Sequence, residues 1–225
     1  MDFNGFKNAV IAKCQELGIT EYELYYQSDE STSIEAFQHE INQFTSSKDG
    51  GVCFRCIVGG KMGYASTEEL SEAQAAAVVE KAADNASVLE AEEQVFLCEG
   101  GQEYLPLEDR SFPMPATEEI IRTVLATQER LYQANPAVID GCQTQGIAEK
   151  SELAIYNSKG LDLYSESTLS GLIAVAVVSN GKEMANDYQI KLAKLDTIDL
   201  DTLNKAIQDL ADVVEPLARF FNVFN

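Results

Sequence analysis

Histidine is almost missing from this sequence: His39 is the single one among 225 residues. Any zinc site or nucleophile that needs an imidazole would have to use it. Basic residues are scarce too. Sixteen Lys and Arg stand against 37 Asp and Glu, a net charge of −21. Nucleic-acid binding needs clustered Lys and Arg for phosphate contacts, and no window holds such a cluster, so no nucleic-acid partner is expected. The longest apolar run, Leu172 to Val178, has seven residues, whereas a membrane helix needs about 20, so no membrane partner is expected either. The first residues lack the basic stretch and apolar run of a secretory signal, which points to the cytoplasm. Cysteines number five (Cys14, Cys53, Cys56, Cys98 and Cys142), an odd and scattered set. In a reducing compartment they read as free thiols.

What is present is a foldable chain. Apolar residues make up 45%, which excludes wholesale disorder. A chain of this length hides about 70% of its unfolded surface, in one large domain or two small ones. Phe3, Phe6, Val10, Cys14 and Leu17 recur at helical spacing, with Gly18 as the C-terminal cap. Strands follow around Tyr22, Leu24 and Tyr26, then around Ile34 and Phe37. Asp49-Gly50-Gly51 reads as a turn. Val52–Val58 reads as a strand, turned by Gly59-Gly60-Lys61 into a short one at Met62–Ala65. Ser71 and Gln74 form a capping-box pattern before an alanine-rich helix to Val88.

The stretch from Glu90 to Pro115 holds three of the five prolines and reads as an irregular connection with a short strand at Val95–Cys98. A helix is predicted over Thr117–Ala134. Strands are expected at about 137–148, 152–157, 161–179 and 182–195, with hairpin turns at Asn157–Gly160 and Ser179–Lys182. A last helix runs from Asp199 to about Val214. The order is αββββα, loop, αββββα, with no residue-level repeat between the halves. Hairpins grouped between helices indicate an α+β protein with largely antiparallel sheet.

Sites of chemistry are harder to find. His39-Glu40 begins like a zinc-protease helix motif, but Gln43 stands where a second His is needed, and His39 reads as an exposed strand residue. Cys53 and Cys56 have CxxC spacing. In a strand, residues three apart point to opposite faces, so core packing is expected rather than redox or metal work. A thiol enzyme using Cys53, Cys56 or Cys142 would need a depressed thiol pKa. Gly59-Gly60-Lys61-Met62 lacks the Ser or Thr of a phosphate loop. Asp196, Asp199 and Asp201 lack the glycine and glutamate of a calcium loop. No catalytic, cofactor-binding or metal residue is assigned.

One resemblance does emerge. The run Lys48-Asp49-Gly50-Gly51-Val52-Cys53-Phe54-Arg55-Cys56-Ile57-Val58-Gly59-Gly60-Lys61-Met62-Gly63-Tyr64-Ala65-Ser66-Thr67 resembles the Gly-x-x-x-Arg-x…Gly-x-x-Gly-x-Ala-Ser-Thr segment of the TldD/PmbA family. Glu21–Tyr26 before it and the alanine-rich helix after it fit, and Ile155-Tyr-Asn-Ser-Lys-Gly160 is similar to the family's Asn-Ser-x-Gly hairpin. The likeness runs in order through residues 1–215 and is closer to the PmbA (TldE) branch. It implies an N-terminal-type domain over 1–215, with a subdivision near 90–115, and a cytoplasmic TldD–TldE metalloprotease that acts on unfolded peptides. That family is also linked to peptide-antibiotic maturation and to DNA gyrase modulation. Zinc is implied only in a TldD-like partner, held there by His-Glu-x-x-x-His and a later cysteine, none of which stands here. The pairing would be a homodimer or a heterodimer. Residues 216–225 form an apolar tail with Phe220, Phe221, Val223 and Phe224. It either packs on a further domain or folds back on the last helix. The alternative reading is a stand-alone acidic interaction module, for example one that modulates gyrase through its charge.

Overall fold

The computed structural model describes residues 1–90, 94–105, 111–134, 136, 138–179, 181–182 and 184–192. The expected helix at 199–214, the tail at 216–225 and the aspartates at 196, 199 and 201 lie outside the described residues. In chain order the elements are α1 (Phe3–Leu17), β1 (Tyr22–Phe37), β2 (Glu40–Val58), β3 (Lys61–Thr67), α2 (Glu72–Val88), α3 (Thr117–Ala134), β4 (Gln143–Asn157), β5 (Asp162–Ser179) and β6 (Met184–Leu192). The fold is α+β. Its strands form a six-stranded sheet in the order β3-β2-β1-β4-β5-β6, with β2–β3 and β5–β6 antiparallel.

Two compact units make up the chain. One comprises Met1–Asp29, Lys48–Arg110 and Ser151–Ser167; the other comprises Glu30–Ser47, Ser111–Lys150 and Thr168–Asn225. In the first unit, α1 starts at Asp2, whose carboxylate accepts from the Gly5 N–H at 2.8 Å, and ends at Gly18 with φ 68°. Phe6, Val10 and Cys14 are buried with Leu24, Phe54, Cys56, Val79 and Ala82. The β2–β3 hairpin turns on Gly59 and Gly60 at φ 58° and 77°, which glycine adopts without steric cost. Ser71 caps α2 by accepting from the Gln74 N–H. The Gln74 side chain lies 3.5 Å from Thr67 Oγ1, so the capping box is half made.

The second unit packs Ile120, Val124 and Leu131 of α3 on Ile34, Ala36, Ala148, Leu172, Ala174 and Val178. Buried polar groups on α3 find strand partners. The Thr144 hydroxyl donates to the Val124 carbonyl at 3.0 Å. Gln128 Nε2 donates to the carbonyls of Ala36 and Cys142 at 2.8 and 3.2 Å.

Several strand limits differ from the sequence reading. Asp49-Gly50-Gly51 is no turn, because β2 runs straight through it. These glycines allow close backbone approach: a Cβ on Gly50 would lie 2.5 Å from the Gln27 carbonyl oxygen, and one on Gly51 2.5 Å from that of Thr67. The chain turns instead at Gln38-His39, both at positive φ (52° and 67°), where Gln128 Oε1 accepts from the His39 N–H at 2.8 Å. Ile34 and Phe37 therefore belong to β1. The stretch read as two strands at 137–148 and 152–157 is a single strand from Gln143, preceded by one bridge from Val138 to Val178. Polar Glu149–Glu152 looked like a break, yet the backbone continues through it. Residues 94–100 form no strand.

Candidate functional site

In the first unit, three separated sequence segments converge on one carboxylate. Glu23 follows the alternation of β1 onto the face opposite Tyr22 and Leu24. It is nevertheless buried, at 4% exposure. Arg55 on β2 places Nη2 at 2.5 Å from Glu23 Oε1. Asn157, at the end of β4 and 1% exposed, donates from Nδ2 to Glu23 Oε2 at 3.1 Å and to the Cys98 carbonyl at 2.9 Å. Its Oδ1 accepts from the Lys159 and Leu161 N–H groups at 2.9 and 3.1 Å. A buried ion pair is costly unless its remaining lone pairs are filled, and Asn157 fills one of them. The cluster also ties two loops together. The Gly100 N–H donates to the Lys159 carbonyl at 3.0 Å, and Lys159 Nζ lies 2.7 Å from Glu21. Among the described residues, Arg55 Nε is buried without a hydrogen-bond partner, and its Nη1 lies 3.9 Å from Met62 Sδ.

The same unit holds an open cavity of about 680 Å³, lined in part by Phe3, Lys7, Tyr26, Glu152, Asp162 and Tyr164. Tyr26 Oη donates to Glu152 at 3.3 Å. Tyr164 Oη lies 2.8 Å from Glu152 and 3.0 Å from Glu166. Burial, with the Glu152 carboxylate adding to it, pushes both phenols up, so they serve as donors and not as bases. Phe3 stacks on Tyr26 with centroids 4.7 Å apart. Lys7 Nζ sits 3.3 Å from Asp162 and 5.0 Å from the Tyr156 ring centre. Such a cavity can hold and orient a ligand through hydroxyl, ammonium and aromatic contacts.

Residues singled out from the sequence are dispersed. His39 is exposed and sits in a turn, not a strand. Its Nδ1 lies 3.3 Å from Glu129, and its ring stacks on Tyr132 at 4.3 Å. Cys56 is buried and Cys53 exposed, so the pair faces opposite sides of β2 and only Cys56 joins the core. All five cysteines are free. Burial pushes the thiols up, to about 12 for Cys14 and about 11 for Cys56, and also upward for Cys142. That is the wrong direction for a nucleophile. Gly59-Gly60-Lys61-Met62 is the hairpin turn already described. Among the described residues no three His, Cys, Asp or Glu side chains could share a metal ion, so this donor set does not fit a catalytic zinc. No helix among them is long and apolar enough to cross a membrane.

Two family models match the chain: PmbA/TldA metallopeptidase domain 1 over residues 22–86 and PmbA/TldA metallopeptidase central domain over residues 110–214. The chain belongs to the PmbA/TldD family. Its PmbA/TldD fold is shared with solved structures at low identity. A protein named as a candidate modulator of a DNA gyrase, from Thermotoga maritima, matches with TM-score 0.75 and 19% identity, over 93% of this chain and 48% of that one. TldE from Thermococcus kodakarensis matches with TM-score 0.74 and 14% identity, over 93% and 47%. A candidate modulator of DNA gyrase from Bacteroides thetaiotaomicron matches with TM-score 0.68 and 18% identity, over 92% and 49%. The PmbA/TldD chain thus spans about half the length of these structures. A comparison with curated proteins finds no match. The Glu23–Arg55–Asn157 cluster joins the PmbA/TldD-like motifs around residues 21–26, 51–67 and 155–160. Their spacing carried the resemblance but gave no sign that they meet.

Proposed function

We propose that this chain is the substrate-handling and assembly part of a PmbA/TldE-like subunit in a TldD–TldE-type metallopeptidase. In this reading it holds no metal itself. A TldD-like partner supplies zinc and cleaves unfolded peptides in the cytoplasm. The observation that carries the reading is the pairing of two metallopeptidase-family matches with a donor set unfit for zinc among the described residues. The open cavity beside Glu152, with protonated tyrosines and a paired lysine, supports binding rather than bond cleavage.

The test is co-expression with a homologous chain carrying His-Glu-x-x-x-His, followed by co-purification and assay on an unfolded peptide. The expected result is a stable complex that hydrolyses the peptide, with no hydrolysis by this chain alone. Hydrolysis by the chain alone with stoichiometric zinc refutes the reading. A second reading draws on two structural relatives named as candidate gyrase modulators and on the charge of −21. It predicts inhibition of gyrase supercoiling by the purified chain, and no effect at saturating protein ends it.

A further inference from the structure

The open cavity of the first unit contains a loosely made ion pair. Lys7 lies one turn into α1 and keeps only 15% of its side chain exposed, yet its ammonium meets the two Asp162 oxygens at 3.3 and 3.4 Å. A charge-assisted hydrogen bond of this kind is ordinarily about 2.7–2.9 Å long. Two ring faces also flank the Lys7 ammonium, Tyr156 at 5.0 Å and Phe3 at 6.0 Å. Asp162 opens β5 with 61% of its side chain exposed, so the pair has one sheltered end and one open end. Beside it, the stacked rings of Phe3 and Tyr26 continue into Leu70, Ala154 and Leu163, an apolar wall next to the two charges.

We propose that this cavity binds a short peptide with free amino and carboxyl ends and large apolar side chains. The proposal rests on the substrate-handling reading of the same cavity and adds the chemistry of the ligand. The ligand's carboxylate pairs with Lys7 and its ammonium with Asp162, so one loose pair becomes two and the charge of the site is unchanged. A part-exposed ion pair contributes little to stability, so separating it costs little. A carboxylic acid without an ammonium leaves Asp162 facing a like charge, and it approaches against the field of a chain of net charge −21, which disfavours anions. An amine without a carboxylate sets a second cation beside Lys7. A zwitterion answers both members at once, and its side chains lie on the Phe3–Tyr26 wall. At about 680 Å³ the cavity falls within the roughly 300–1,000 Å³ range of small-molecule sites, which suits a dipeptide better than a single amino acid.

Ligand-observed NMR titration of the full chain with the dipeptide Leu-Phe tests the proposal. The expected Kd is about 10–100 μM, from the efficiency typical of drug-sized ligands over about 20 non-hydrogen atoms. N-acetyl-Leu-Phe, Leu-Phe amide and free phenylalanine should each bind at least tenfold more weakly. Lys7→Met should weaken Leu-Phe at least tenfold, whereas Lys13→Met, whose ammonium pairs with Glu16 and Glu80 away from the cavity lining, should leave it unchanged. Asp162→Asn, at an exposed position that keeps its shape, should bind Leu-Phe and N-acetyl-Leu-Phe equally, which a merely structural role for Asp162 would not produce. No binding of Leu-Phe at about 1 mM, at least ten times the expected Kd, overturns the proposal. Equal affinity of the intact chain for the acetylated form, the amide or free phenylalanine overturns it too, by assigning the cavity to an anion, a cation or an amino acid. So does an Asp162→Asn variant that still prefers the free amino end. The titration uses the chain alone, so its failure leaves co-purification and hydrolysis with a TldD-like chain as a separate result, and failure of that assembly leaves this binding unaffected.

Discussion

Replacing Asn157 by aspartate should harm the fold more than truncating it to alanine at pH 7, and less at pH 5. Alanine removes four hydrogen bonds. At about 1 kcal/mol net each, the loss is about 3–4 kcal/mol and independent of pH. Aspartate keeps both accepting contacts but sets a second carboxylate about 3 Å from Glu23. Two such charges repel by about 5 kcal/mol at an effective dielectric of 20. The new carboxyl escapes by taking a proton, and from an unperturbed pKa of about 3.9 that costs about 4 kcal/mol at pH 7 and about 1.5 at pH 5. The lost donation to Cys98 adds about 1 kcal/mol. The totals are about 5 kcal/mol at pH 7 and about 2.5 at pH 5. The folded variant binds a proton that the unfolded chain does not, so its stability rises as pH falls. Urea unfolding of the wild type and both variants at the two pH values measures the order directly. Equal destabilisation by aspartate and alanine, unchanged between pH 7 and 5, would refute the carboxylate-centred account of this cluster.

Other outcomes follow from single contacts. Gly63→Ala drives a Cβ to within 1.9 Å of the Ala82 carbonyl of α2 and should cost about 3 kcal/mol through overpacking, read by thermal melting. Gly18→Ala meets nothing within 4 Å at φ 68° and should cost only the left-handed strain of about 1–2 kcal/mol. Exposed Cys53 and Cys98 should react with a thiol reagent at pH 8 before denaturation. Cys14 and Cys56, pushed to about 12 and about 11 by burial, should react only after it. Donation from Ser151 and Gln27 lowers the Asp29 carboxyl, so its stabilisation is present above the ordinary carboxylate range and fades as pH falls through the lowered value. Ser151→Ala should raise that titration in a carbon-detected NMR series.

Periodicity made the helices legible: the 3.6 pattern of Phe6, Val10 and Cys14 and the Asn135-Pro136 stop after α3 match the observed elements within a residue or two. Strand limits were less legible because glycine has two uses. Gly59-Gly60 turns the chain, whereas Gly50-Gly51 lets strands approach, and composition alone does not separate these roles. His39 was misplaced for a related reason, since a turn with two non-glycine residues at positive φ carries no Gly or Pro signal and depends on Gln128, far away in sequence. Glu23, Arg55 and Asn157 were visible as motif members but not as partners. Their meeting is a property of tertiary pairing, with Glu23 and Asn157 separated by 134 positions.

The interleaving of the two units bears on how the chain is made. The unit that begins at Met1 includes Ser151–Ser167, so it cannot be completed when the ribosome finishes Arg110. The next 57 residues take roughly 3–11 s at typical elongation rates. Until Asn157 emerges, Glu23 and Arg55 lack the side chain that completes their cluster. During that interval the β1 edge that β4 will pair is open, the kind of unpaired strand edge that makes folding intermediates prone to aggregation.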